Sequence, residues 1–130
     1  MKFLDTSFLI DYLKGKEYAL DYLENNSEEA FYTSSLTMFE LYRGELKSDG
    51  IPDIEALRER LEWLKTAEID DKTAEKAARI EKRLSSQGKK INLADILIAG
   101  EASKKGAKVI TGDKDFQKIQ GIEAENPKTR

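Results

Sequence analysis

Short apolar runs alternate with longer segments of helical periodicity along the whole chain. The runs "KFLD", "AFYTS", "AEID" and "AKVIT" have the length and the apolar content of short strands, and "IEAEN" is a possible fifth. Strands that alternate with helices predict an α/β fold with a mainly parallel sheet of four or five strands. The predicted strands are residues 2–5, 30–34, 67–70 and 107–111, with 122–126 as the possible fifth.

The segments between the strands repeat their apolar residues every three or four positions, as amphipathic helices do. The helix over 71–90 is expected to pack through an apolar stripe of Ala74, Ala77, Ile80 and Leu84. "INLADILIAG" is almost entirely apolar and predicts a buried helix. The predicted helices are residues 6–15, 16–26, 35–50, 51–65, 71–90 and 91–106.

Length and composition limit the remaining possibilities. At 130 residues the chain is expected to form one domain over 1–130, with a loose tail over about 125–130. It has no cysteine and no histidine, which excludes thiolate chemistry, Ser-His-Asp catalysis and the usual zinc sites. The net charge of −3 argues against wholesale coating of nucleic acid. Without a long apolar run or a leader-like start, a cytoplasmic location is expected.

Four acidic residues lie in apolar surroundings or at the ends of predicted strands. Asp5 ends the first strand, and Asp113 follows the strand over 107–111. Glu40 lies within "LTMFELY", and Asp95 lies within "NLADILIAG". Ligands of parallel sheets collect at the carboxyl ends of the strands, so these acids are expected near one edge. Carboxylates that meet in one cleft repel each other, and a hard divalent cation such as Mg²⁺ or Mn²⁺ removes that repulsion.

Each acid also has a purely structural interpretation. Asp5 can cap the following helix, and Asp95 can support an N-cap at Asn92. Asp113 and Asp115 suit an ordinary turn after the strand.

Glu40 is the hardest of the acids to explain structurally, because an apolar helix face seldom carries an unpaired carboxylate. Arg43, three residues later, is the local partner that could pair with it. The four acids together favour a site more strongly than any one of them does.

The residues around these acids resemble a known family. "FLDTSFLIDYL", "TMFELYRG", "NLADILIAG" and "VITGDKDF", in this order and at these spacings, are similar to a PIN domain. They resemble most closely the VapC-type toxins of bacterial and archaeal toxin–antitoxin pairs. The similarity runs from residue 2 to about residue 123, and none of the four acidic positions is substituted.

The resemblance implies a PIN-like three-layer α/β/α sandwich and an endoribonuclease that depends on Mg²⁺ or Mn²⁺. It also implies a cognate, VapB-like antitoxin, an RNA substrate and a homodimer. Basic residues close to the acids in sequence are candidates for substrate binding, namely Arg43, Lys114 and Lys118. The implied catalytic residues are Asp5, Glu40, Asp95 and Asp113, with Asp5, Asp95 and Asp113 as metal ligands and Thr6, Ser7, Thr111 and Asp115 as auxiliary residues.

Two other functions compete with this interpretation. A phosphatase with Asp5 as its nucleophile would need a second acid two residues later, where the chain has Ser7. The alternative that remains open is a non-catalytic, PIN-type module that binds RNA or protein. Cleavage of RNA that depends on a divalent metal would separate the enzyme from the module.

Overall fold

The computed structural model describes residues 1–129 and contains one five-stranded sheet. All neighbouring strands are parallel, in the order β3-β2-β1-β4-β5. The predicted α/β fold with a parallel sheet is therefore confirmed, including the fifth strand. The strands are β1 (Lys2–Leu4), β2 (Phe31–Ser34), β3 (Lys65–Ala67), β4 (Lys108–Ile110) and β5 (Ala124–Glu125).

Six α-helices connect the strands, and a short 3₁₀ helix over Lys114–Lys118 follows β4. Five of these α-helices begin after a residue whose side chain caps the helix, and the caps at Asp53 and Asp70 were not predicted. None of the described helices is long and apolar enough to cross a membrane. The helices are α1 (Thr6–Leu13), α2 (Glu17–Asn25), α3 (Ser35–Leu46), α4 (Ile54–Arg60), α5 (Asp71–Ser86) and α6 (Leu93–Lys105).

The central strands are covered on both faces, which gives the sheet two separate cores. Successive strand residues point to opposite faces. Phe3 and Val109 accordingly pack with the residues of α5 and α6, whereas Leu4 and Ile110 pack with those of α1 to α4. All four side chains are fully buried. These uninterrupted apolar runs are typical of parallel strands inside a three-layer sandwich.

The region between α4 and α5 differs from the sequence prediction. The predicted third strand is present, but its bounds of 67–70 are wrong, because β3 occupies Lys65–Ala67 and Asp70 instead caps α5. The predicted helix over 51–65 is correspondingly too long. The chain leaves α4 after Arg60, and the indole N–H of Trp63 donates to the Arg60 carbonyl. Pairing with β2 requires an extended chain here, and that requirement overrides the local helical pattern.

The apolar stripe of α5 also differs by one position at its first turn. Ala74 is exposed, and Thr73 is the buried residue that joins Ala77 and Ile80 at the interface with α6. The backbones are close here, since a Cβ on Gly100 would lie 2.9 Å from the Thr73 carbonyl oxygen. Only glycine permits this approach of α6 to α5.

The tail contains a turn over residues 126–129, in which the Thr129 N–H donates to the Asn126 carbonyl. The Lys128 ammonium lies 4.9 Å from the centre of the Tyr18 ring. Arg130, the last residue of the tail predicted to be loose, lies outside the described residues.

The strand order places a crevice beside β1. The chain proceeds from β1 outward through β2 to β3, and then crosses to the other side of β1 to form β4 and β5. At this reversal the loops after β1 and β4 diverge, and such a point is where open parallel sheets bind their ligands. Asp5 follows β1 directly, and Asp113 lies three residues after β4.

Candidate active site

The crevice after β1 and β4 is a polar cleft of about 440 Å³. All four of the acids singled out from the sequence line it, although they come from four separate regions of the chain. Thr6 and Ser7 also line the cleft, as expected from the sequence. The lining residues are Asp5, Thr6, Ser7, Glu40, Asn92, Ala94, Asp95, Ile98 and Asp113.

Asp5 forms the floor of the cleft and is 6% exposed. One carboxylate oxygen caps α1 by accepting from the Phe8 N–H at 2.9 Å, and the other accepts from the Thr111 hydroxyl at 2.5 Å. Thr111 in turn accepts from the Asp113 N–H at 2.9 Å. The structural and the functional interpretation of Asp5 are therefore compatible, because the cap fixes the carboxylate at the edge of the sheet.

Asp95 enters the cleft from the first turn of α6. Asn92 caps this helix by accepting from the Asp95 N–H at 2.9 Å, and its side-chain amide donates to the Asp95 carboxylate at 2.8 Å. The predicted N-cap at Asn92 is confirmed. The helix dipole at this position favours the ionised carboxylate.

Asp113 caps the short 3₁₀ helix, and this cap places Asp115 next to it. Its carboxylate accepts from the Asp115 N–H at 2.9 Å. The Lys118 ammonium donates to Asp115 at 2.9 Å. Lys118, one of the predicted substrate-binding residues, therefore lies beside the acids and partly balances their charge.

Glu40 lies on α3, on the opposite side of the cleft from α6. The Thr6 hydroxyl lies 3.1 Å from a carboxylate oxygen of Glu40 and 3.1 Å from the hydroxyl of Thr37. Thr37 is buried and was not singled out from the sequence, where a lone threonine in an apolar helix gives no signal. Arg43 does not form an ion pair with Glu40 and instead lies 5.0 Å from the centre of the Phe39 ring.

The donor atoms of the cleft suit a hard divalent cation. Oxygens of Asp95, Asp113 and Asp115 lie within 4.8 Å of one another, the one such acidic group among residues 1–129. Asp5 is outside this group, although it shares the cleft with Asp95 and Asp113. The resemblance implied only an auxiliary role for Asp115, whereas the structure places its carboxylate in the group that could hold a metal ion. Carboxylate and hydroxyl oxygens are the donors that Mg²⁺ and Mn²⁺ prefer.

Two acids of the cleft, Asp5 and Asp95, have a pKa above that of an isolated aspartic acid. Burial raises the pKa of Asp5, opposed by the hydrogen bonds from Thr111 and Phe8, and the charge of Asp113 raises it further. Burial and the charge of Asp113 raise the pKa of Asp95 to about 6, against the lowering effect of Asn92. Mutual repulsion of this kind is typical of a site whose charge is completed by a cation.

The raised pKa of Asp95 predicts a destabilised fold at neutral pH without metal. Because the folded-state pKa exceeds the unfolded value near 3.8, stability is lost as the pH rises from about 4 to about 6. Replacing Asp95 with Asn should therefore raise the free energy of unfolding by about 1–2 kcal/mol at neutral pH, allowing for solvent screening. The gain should be much smaller near pH 4. Urea unfolding in EDTA measures both values.

Asp115→Asn is the matched control for this measurement, because Lys118 already balances the Asp115 carboxylate. It should give no comparable gain at neutral pH. An equal gain at both pH values for Asp95→Asn would contradict the electrostatic explanation.

Comparisons with known proteins agree on one family. The sequence profile of the PIN domain matches residues 2–122. The tRNA(fMet)-specific endonuclease VapC of Salmonella typhimurium is 30% identical over 128 residues, which cover 95% of each chain. DNA-bound VapBC from Salmonella typhimurium is 25% identical with a TM-score of 0.85, over 97% of each chain.

A second solved structure has a higher sequence identity to this chain than DNA-bound VapBC has, but it covers a smaller share of the chain. It is VapBC-5 from Mycobacterium tuberculosis, described as a member of the VapBC family of toxin–antitoxin systems. The identity is 31% and the TM-score 0.59, over 73% of this chain and 79% of that chain.

Proposed function

The chain belongs to the PIN domain family, within its VapC group, and from this premise we propose that it is an endoribonuclease. The proposed reaction is hydrolysis of RNA phosphodiester bonds, assisted by Mg²⁺ or Mn²⁺. The proposed role is that of the toxin in a toxin–antitoxin pair. The observation that carries the proposal is the convergence of Asp5, Glu40, Asp95 and Asp113 in one cleft at the switch point of the sheet.

Asp95, Asp113 and Asp115 are the residues that would hold the ion, with Asp5 adding negative charge from the floor of the cleft. The ion would supply charge neutralisation at the phosphate and a lowered pKa for a bound water. Thr111 keeps Asp5 in one orientation and also binds the backbone of Asp113, so it couples the two strand ends. Such supporting contacts fix ligand geometry.

Glu40 is the candidate for proton transfer. Without histidine in the chain, the acceptor for a proton from the attacking water has to be another side chain, and a carboxylate is the suitable type. The Thr6 hydroxyl, on α1, contacts the Glu40 carboxylate at 3.1 Å, and both residues line the cleft. This contact holds the Glu40 carboxylate at the cleft.

The rim of the cleft has groups suited to an RNA strand. Phe39 is 54% exposed next to Glu40, and Arg43 lies over its ring. Exposed aromatic rings stack on bases, and arginine binds phosphate. Lys114 and Lys118 on the 3₁₀ helix extend the basic rim on the other side of the acids.

A partner is proposed on the strength of the relatives, several of which are described as VapBC assemblies or toxin–antitoxin systems. An antitoxin would cover the cleft and keep the nuclease inactive in its host. A homodimer and a cytoplasmic location belong to the same proposal.

Replacing Glu40 with Gln tests the proposed reaction. We expect the rate of RNA cleavage at saturating RNA to fall by about 10²-fold or more, since positioned general bases contribute on this scale. RNA binding should remain, because the amide keeps the size and the contact with Thr6. End-labelled RNA resolved on a gel gives the rate, and fluorescence anisotropy gives the affinity.

Glu45→Gln is the matched control, because Glu45 lies on the same helix outside the cleft, where its carboxylate accepts from the Asp53 N–H. It should cleave at the normal rate. If antitoxin-free protein with Mg²⁺ or Mn²⁺ binds RNA but never cleaves it, the non-catalytic module replaces the enzyme as the assigned function.

A further inference from the structure

Glu101 is a buried glutamate to whose carboxylate no group in residues 1–129 donates a hydrogen bond. It lies on α6, nearly two turns beyond Asp95, and is 1% exposed. Neither carboxylate oxygen has a hydrogen-bond partner among residues 1–129, and the buried hydroxyl of Thr73 beside it has none either. Leaving a buried carboxylate without a partner is costly, so a group of this kind requires an explanation.

The side chain lines a cavity separate from the catalytic cleft. This second cavity has a volume of about 210 Å³ and lies where β3 ends and α5 begins. Glu101 and Thr73 both line it, where α6 approaches α5 closely at Gly100. The cavity is lined by Thr66, Ala67, Glu68, Asp70, Thr73, Glu101, Lys104 and Lys105.

The two lysines of this cavity have other partners. Lys104 forms an ion pair with Asp70. The Lys105 ammonium lies 4.5 Å from the centre of the Tyr32 ring, in a cation–π contact. The charges of both lysines reach Glu101 only at longer range. The Glu101 carboxylate therefore lacks a direct counter-charge.

Two further contacts do not satisfy these groups. The Ser34 hydroxyl is near enough to lower the pKa of Glu101, but its geometry does not make a regular hydrogen bond to either carboxylate oxygen. Burial dominates and raises the pKa of Glu101 to about 7. The Thr73 hydroxyl likewise lowers the pKa of Asp70 without forming a regular hydrogen bond with it.

We propose that the cavity binds a monovalent metal cation of the Na⁺ or K⁺ class, with the Glu101 carboxylate and the Thr73 hydroxyl as ligands. A single positive charge matches the one buried carboxylate of this cavity, which has no hydrogen-bond partner within residues 1–129. A divalent ion is disfavoured, since Glu101 does not converge with Glu68 and Asp70 as the acids of the catalytic cleft converge. The cavity is large enough for the ion to keep several waters, each of which needs about 30 Å³.

Thermal unfolding in different chloride salts tests this site directly. The protein is unfolded at equal concentrations of NaCl, KCl or tetramethylammonium chloride, in EDTA at about pH 8, where Glu101 is ionised. The large organic cation supplies ionic strength but does not fit the site. We expect Na⁺ or K⁺ to raise the unfolding midpoint in a saturable way. At a hundred times the dissociation constant the folded-to-unfolded ratio rises roughly 100-fold.

Variants locate the effect in the cavity. Glu101→Gln keeps the shape of the side chain and should unfold at the same midpoint in all three salts. Glu68→Gln, at an exposed residue of the same cavity, should still distinguish the salts, and Lys105→Met, which removes a positive charge near Glu101, should shift the dependence to lower Na⁺ or K⁺ concentrations. Thr73→Val removes the second ligand and should shift the dependence to higher Na⁺ or K⁺ concentrations.

Several results would overturn the proposal. One is a wild-type midpoint that is the same in all three salts, as expected if the cavity holds only water. Another is a Glu101→Gln variant that still distinguishes the salts. If Glu101→Gln does not fold, Thr73→Val decides, and a wild-type concentration dependence in that variant rejects the site. All of these readouts are independent of nuclease activity.

Discussion

Replacing Asp5 with Asn is expected to reduce RNA cleavage by at least about 10³-fold while the protein stays folded. The loss follows from the several kcal/mol of charge stabilisation that a metal-binding carboxylate cluster supplies to phosphodiester hydrolysis. The fold should persist because asparagine caps a helix as well as aspartate, so the bond from the Phe8 N–H is kept. Losing the carboxylate oxygen that accepts from Thr111 lowers the stability, whereas removing a buried charge raises it, so the two effects oppose each other.

Asp53→Asn is the matched control for this variant. Asp53 caps α4 by accepting from the Ala56 N–H at 3.0 Å and lies outside the cleft. Both variants should have the circular dichroism of the wild type, and only Asp5→Asn should be inactive. An Asp5→Asn protein that cleaves RNA at the wild-type rate would remove Asp5 from the proposed site.

Removing divalent metal has the second large effect that we expect. EDTA should abolish cleavage, and Mg²⁺ or Mn²⁺ should restore it, because four mutually repelling acids cannot accommodate a phosphate without a cation. The apparent affinity for Mn²⁺ should fall by about tenfold per pH unit below 6, since Asp95 has to lose its proton to bind. Electron paramagnetic resonance of free Mn²⁺ measures the binding, and a labelled RNA measures the activity.

The Asp5→Asn protein, purified in parallel, serves as the control for contaminating ribonucleases. Residual cleavage in that sample sets the background. Wild-type cleavage above this background that survives EDTA would contradict a metal-dependent mechanism. It would leave the fold and the family membership unaffected.

The metal-removal experiment also distinguishes the two cation sites. The catalytic cleft is expected to take divalent ions, whereas the Glu101 cavity is expected to take Na⁺ or K⁺ in the presence of EDTA. Failure of one proposal therefore leaves the other testable. The sites share α6 but use residues nearly two turns apart.

Much of the fold could be predicted because its signals are local. A cap such as Asp5 or Asn92 acts within three residues of itself, so the sequence indicates where helices begin. The uninterrupted apolar strands likewise indicate burial on both faces. The predicted bounds of β3 were wrong. "AEID" has the pattern of a strand, but Asp70 caps α5 and lies outside β3. Pairing with β2 decided the strand, and this pairing is remote in sequence.

By itself, the sequence determined the alternation of strands and helices, the caps, and the four acids that line the cleft. Their surroundings supplied that signal, since an acid in an apolar segment is unusual. The tertiary structure alone decided how these elements meet. It placed Asp115 among the convergent carboxylates and Thr37 beside Thr6. It also left Glu101 buried without a donor, because the packing of α6 on α5 depends on contacts that no local pattern encodes.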